Sequence, residues 1–107
     1  MNLDELFEKM ESKARTAVPP ADAPDCRVLL DVQGEDPRRW LVSCQNGAVA
    51  VSVYAGGETD ASIILGADTL IGVATRALSP AMAFFTGRLK IKGNKSLLKQ
   101  LSLIWPD

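Results

Sequence analysis

The sequence predicts an α+β domain of five strands with helices covering one face of the sheet. Three observations carry that expectation. The apolar period is helical over residues 3–14 and changes to two over residues 26–54. The Asn46-Gly47 pair marks a tight hairpin whose register sets apolar residues opposite apolar ones. The other parity of the same strands is mostly polar, so one face alone needs cover, and a two-layer arrangement supplies it.

Leu3, Leu6, Phe7, Met10 and Ala14 recur at helical spacing against Asp4, Glu5, Glu8, Lys9 and Glu11, which predicts an amphipathic first helix. Pro19, Pro20 and Pro24 end it, because proline offers no backbone donor. Cys26, Val28, Leu30 and Val32 then share one parity of a first strand. Gly34 to Pro37 make a turn, and Trp40, Val42 and Cys44 continue the apolar parity in a second strand. A two-residue Asn46-Gly47 loop sets Gln45 against Ala48, Cys44 against Val49, Val42 against Val51 and Trp40 against Val53. The reverse face offers Arg27, Asp31, Gln33, Arg39, Ser43, Gln45, Ala48, Ala50 and Ser52 to solvent.

Past the Gly56-Gly57 loop, residues 61–65 read as a fourth strand, and Asp68 as the N-cap of a helix running to Leu78. Leu70, Ile71, Val73, Ala74 and Ala77 would supply its buried side, with Gly72 at a close approach of another element. Ser79-Pro80 starts a short turn or helix to Phe85. Residues 88–92 alternate as a fifth strand with Leu89 and Ile91 inward. Asn94 caps a final helix carrying Leu97, Leu98, Leu101, Ile104 and Trp105 on one stripe.

Composition narrows the chemistry. The 107 residues are 47% apolar and 23% charged, the make-up of a single globular domain over 1–107. With no histidine, the chain lacks the base of a serine or cysteine triad and every His-liganded metal site. A net charge of −1 gives no overall field for nucleic acid. Cys26 and Cys44 share the buried parity without a CxxC pair, and across a hairpin they read as two small apolar residues or, as the lesser reading in a reducing, cytoplasmic setting, as a disulfide. The carboxylates are scattered and mark no acid–base pair, so neither an enzyme nor a cofactor is expected.

The charge distribution says more than its sum. Residues 1–75 hold six basic and twelve acidic side chains, whereas residues 76–107 hold six basic ones and Asp107 alone. Arg88, Lys90 and Lys92 lie on one side of the fifth strand, where they either contact an anionic head group or membrane surface or simply keep an edge strand solvated. The large apolar groups Leu70, Val73, Phe84, Phe85, Leu97, Leu98, Leu101, Ile104 and Trp105 either fill a core or enclose a cavity for a long-chain ligand.

The run Ser79-Pro80-x-x-Ala83-Phe84-Phe85-Thr86-Gly87-Arg88-Leu89-Lys90-Ile91-x-Gly93-Asn94 resembles the signature of the sterol-carrier-protein type two family, and the order of elements before it fits as well. The resemblance implies a five-stranded mixed, largely antiparallel sheet, helices on one face and a hydrophobic tunnel between the layers. It implies non-catalytic binding and transfer of a fatty acid, fatty acyl-CoA, sterol or isoprenoid. Phe84 and Phe85 would wall the tunnel, Leu97, Leu98 and Leu101 would line it, and Trp105 would stand near its mouth. Thr86 replaces the glutamine of many relatives, and Ile104-Trp105-Pro106-Asp107 carries no peroxisomal tripeptide. A stand-alone, prokaryotic-like cytoplasmic member is therefore expected, with acyl or isoprenoid cargo ahead of sterol. Transient membrane contact through the first helix or the basic strand goes with that role. An alternative is an accessory protein that presents prenylated or quinone-type intermediates to a lipid-biosynthesis enzyme partner.

Overall fold

A computed structural model describes residues 1–95 and 97 of the chain. The first helix, α1 (Leu3–Thr16), starts where Asn2 accepts from the Glu5 N–H at 2.8 Å while its amide donates back to the Glu5 carboxylate at 3.3 Å. This reciprocal cap satisfies end groups that the helix itself leaves open. Four strands follow, β1 (Cys26–Gln33), β2 (Arg38–Gln45), β3 (Ala48–Val53) and β4 (Ala61–Gly66). Two short helices, α2 (Ala67–Ala74) and α3 (Pro80–Phe85), precede β5 (Leu89–Gly93).

The sheet order is β3-β2-β1-β4-β5, with β1 and β4 parallel and every other pair antiparallel. The expected five-stranded mixed sheet is therefore what forms. The β2–β3 register is the one the hairpin dictates, from Gln45↔Ala48 to Trp40↔Val53. Asn46 (φ 53°) and Gly47 (φ 78°) supply the positive φ that a tight turn needs. The rung at Val53 differs in burial, because Val53 lies at the end of the sheet and is 68% exposed.

The core lies between the covered face of the sheet and the helices. Val28, Leu30, Val32, Ile63 and Leu89 from the strands meet Leu6 and Met10 of α1 and Leu70 of α2, all buried. Phe7 stacks on Trp40 at 5.1 Å between ring centroids, and α1 packs over β3. Each such side chain contributes about 1.5–3 kcal/mol by leaving water.

Two local expectations are corrected, and two details are added. The cap of α2 is Gly66 rather than Asp68, which falls in the first turn as a favourable negative charge. That helix stops at Ala74, short of Leu78, because Arg76 turns left-handed at φ 66° and the Leu78 N–H folds back to the Gly72 carbonyl at 3.1 Å. The reverse face is not wholly polar, since Leu29 and Leu41 face each other across β1 and β2 and are half-buried with Ile64. Asp4 stays exposed on the polar side of α1 and accepts from Arg38 at 2.8 Å. The final helix expected from Asn94 falls on residues 96 and 98–107, outside the described residues.

Candidate functional site

The candidate site is the apolar layer beneath α2 and α3. Leu70 and Val73 project from α2 into that layer, because positions three apart share a helix face. Leu97 joins them, 3% exposed, with its N–H bonded to the Asn94 carbonyl at 3.1 Å. Facing them across the layer are Ile63, Leu65 and Leu89 of the sheet. Of the expected lining residues, the structure thus brings Leu70, Val73 and Leu97 into one core. Leu98, Leu101, Ile104 and Trp105 lie outside the described residues.

Phe84 and Phe85 stand elsewhere. Only Ala83 of α3 turns into the core, while Phe84 is 38% and Phe85 80% exposed. The two rings meet edge to face at 6.0 Å. Ser79 caps α3 by accepting from the Met82 N–H at 3.1 Å, and Pro80 at its start needs no donor.

Arg88, Lys90 and Lys92 face away from the apolar layer. Strand alternation sends Leu89 into the core, so its neighbours emerge on the open side of the sheet. There they line a recess of ≈ 320 Å³ with Gln33, Ile64 and Gly87. A second recess of ≈ 640 Å³ opens at the start of α2, with Glu35, Asp36 and Asp68 among its lining residues. Of these carboxylates, Asp36 is paired with Arg38.

Two further arrangements hold the frame. Arg38 bridges Asp4 of α1 at 2.8 Å and Asp36 of the β1–β2 turn at 2.7 Å, and its hydrogen bond holds the Asp36 carboxyl below the usual carboxylate range. Arg27 donates to the Glu58 and Gly56 carbonyls at 2.7 and 3.3 Å, fastening the loop that carries the chain from β3 to β4. The Asn2 to Glu5 capping pattern was readable in sequence; the long-range arginine contacts leave no local signal.

Cys26 and Cys44 are direct cross-strand partners, buried and free. Burial foremost, then the neighbouring Cys44, pushes the Cys26 thiol up, which makes it a poor nucleophile at neutral pH. Among the described residues no cluster of His, Cys, Asp or Glu could hold a metal ion. No helix among them is long and apolar enough to cross a membrane. Between its layers the described part of the chain holds a buried apolar core.

The profile of the SCP-2 sterol transfer family matches residues 3–104. The chain belongs to this family. Sterol carrier protein 2 of Arabidopsis thaliana is 35% identical over 63 residues, 59% of this chain and 51% of its own length. The chain spans about half of that relative and smaller shares of the other curated sterol carrier proteins it matches. Palmitated SCP2L2 from Aedes aegypti superposes with a TM-score of 0.75 at 17% identity, covering 95% of this chain and 92% of that one. The UbiJ-SCP2 ubiquinone synthesis protein superposes with a TM-score of 0.68 at 17% identity, covering 94% of each. At such identities the superpositions establish a shared fold. Family membership agrees with the signature read around Phe84 and Gly93.

Proposed function

We propose that this SCP-2 domain is a non-catalytic carrier that takes one apolar chain between its sheet and its helices. The observation that carries the reading is the continuous apolar layer of Leu70, Val73, Ile63, Leu65, Leu89 and Leu97 in a chain matched to the family over residues 3–104. Phe84 and Phe85 stand exposed on α3, outside that layer. Burying a methylene contributes roughly 0.8 kcal/mol, so a long acyl or isoprenoid chain suffices to drive binding. The protein works in the cytoplasm, where Cys26 and Cys44 stay reduced.

A second reading draws on one observation, the superposition on the UbiJ-SCP2 ubiquinone synthesis protein over 94% of both chains. In that reading the same layer presents a prenylated intermediate to a biosynthetic enzyme, and a stable protein partner is required.

Native mass spectrometry of protein purified from its own cells, with organic extraction of released material, tests both. A stoichiometric acyl or isoprenoid lipid supports the carrier; a co-purifying enzyme supports the second reading. An empty protein that also refuses a fluorescent fatty acid refutes both, and the apolar layer is then core alone.

A further inference from the structure

The two edges of the sheet are built differently. β5 forms one edge and carries Lys90 and Lys92, charges that keep a free edge from pairing with another chain. β3 forms the other edge and reads Ala48-Val49-Ala50-Val51-Ser52-Val53, with no charge, no proline and no glycine. It lies within residues 40–57, the longest uncharged run in the chain. Such a valine-rich, uncharged segment at an edge is the kind that readily accepts a further strand.

The register fixes which backbone groups this edge leaves open. The Tyr54 N–H donates to the Arg39 carbonyl at 2.9 Å, so Arg39 turns its backbone toward β3. Backbone direction alternates along a strand, so Leu41, Ser43 and Gln45 turn the same way and bond Ser52, Ala50 and Ala48 opposite them. The N–H and C=O groups of Val49, Val51 and Val53 therefore point outward, where the sheet has no further strand. No turn, loop or side chain among the described residues bonds them. At the same edge the Val53 side chain is largely exposed, while α1 packs over β3 from the covered face.

An antiparallel copy of β3 answers each of these features when Val51 stands opposite Val51 of the second copy. The outward groups of the two chains then close about six N–H···O bonds. Val53 meets Val49 of the second copy, which covers its exposed side chain, and on the open face Ala50 meets Ser52, two small groups. A two-fold contact sets a strand against itself, so any charge in β3 would be brought beside its own copy; the uncharged run removes that obstacle. We infer that this chain forms a two-fold dimer by antiparallel pairing of its β3 edges, centred on Val51. The two five-stranded sheets become one, its remaining edges are the lysine-bearing β5 strands, and both apolar layers lie on the same side. An extended peptide of another protein offers the same backbone groups but not the reciprocal placing of Val49 and Val53, so the second copy is favoured. The inference is independent of what the apolar layer carries.

The test is sedimentation velocity of the purified full chain. From about 10 μM to about 1 mM the mass should rise reversibly from the 11.5 kDa of one chain to twice that value, because pairing through one short edge is weak. Ala50 and Ser52 are exposed, so replacing them leaves the core intact, and a thermal melt verifies folding. The variant A50K/S52K sets like charges directly opposite each other at two places and should associate about tenfold more weakly or worse. The variant A50K/S52E sets opposite charges at the same two places and should associate at least as well as the parent. In amide exchange, the Val49, Val51 and Val53 N–H groups should exchange about tenfold more slowly in concentrated than in dilute protein. The inference is overturned if the parent stays monomeric over this range, whether or not it captures an extended peptide. A folded A50K/S52K protein that dimerises like the parent overturns it too, as does slowed exchange confined to β5. An A50K/S52E protein weakened as much as A50K/S52K overturns the Val51 register. Should A50K/S52K fail to fold, A50K/S52E and the exchange of the parent still decide.

Discussion

Replacing Gly93 with alanine should cost this domain about 3–4 kcal/mol. Gly93 ends β5 at φ 87°, a region where an L-residue pays roughly 1–2 kcal/mol. An added Cβ would stand 2.5 Å from the Asp60 carbonyl oxygen and 3.0 Å from the Ala61 Cα, both backbone atoms that cannot rotate aside. Relieving that overlap means moving β5 off β4, where Gly93 pairs with Ala61. The Asn94 N–H bond to the Asp60 carbonyl at 3.2 Å goes with it, worth about 1 kcal/mol. Overpacking strain of about 1 kcal/mol or more completes the sum. In a urea titration with a slope near ~2 kcal/mol/M, the midpoint should fall by about 1.5–2 M. Thermal unfolding should move down by more than about 10 °C. An alanine variant whose urea midpoint stays within about 0.3 M of the parent would refute the close approach and with it the placing of β5.

The same substitution at Gly72 should act in the opposite direction. Its φ is ordinary and an added Cβ meets the Leu78 Cβ at 3.5 Å, a normal contact, so alanine should stabilise α2 by about 0.5–1 kcal/mol and raise the urea midpoint; a lowered midpoint would show the site is tighter than that. Alkylation reports on Cys26, whose folded pKa is raised above the ordinary value of 9.0 by burial first and by Cys44 next. The stability this thiol contributes is whole below pH 9.0 and is lost as pH rises through its folded pKa. Iodoacetamide should therefore label Cys26 slowly in the folded protein at pH 9 and rapidly in urea; equal rates would contradict its burial.

Much of the sheet was legible because its signals are local. The Asn46-Gly47 turn fixes the β2–β3 register outright, and the parity of Cys26, Val28, Leu30 and Val32 marks the covered face. The limits of α2 were not legible, since its end depends on Arg76 turning left-handed so that Leu78 can fold over Gly72. The parallel pairing of β1 with β4 has no local signature either; it entered through the family signature rather than through periodicity. Within the candidate site, Leu70, Val73 and Leu97 were readable from helical spacing and family likeness. The exposure of Phe85 was not, because a six-residue helix can bury one narrow side and Ala83 occupies it.

Strand β5 ties the two surfaces of the molecule together. Leu89 completes the apolar layer on one face, and Lys90 and Lys92 stand with Arg88 on the other. A slip of one residue along β4 would exchange these sets and drive lysines into the core. Two groups at its ends oppose such a slip. The Arg88 N–H is anchored to the Ala83 carbonyl, and Gly93 fits under the Asp60 carbonyl as no other residue can without displacement. Asp60 is itself fixed, since its carboxylate accepts from the Arg27 N–H at 2.7 Å and its own N–H donates to the Arg27 carbonyl at 2.8 Å. Register at β5 is thus set by contacts reaching back to β1. A Gly93 variant that still folds should for that reason show lowered stability, whereas a Gly72 variant should not.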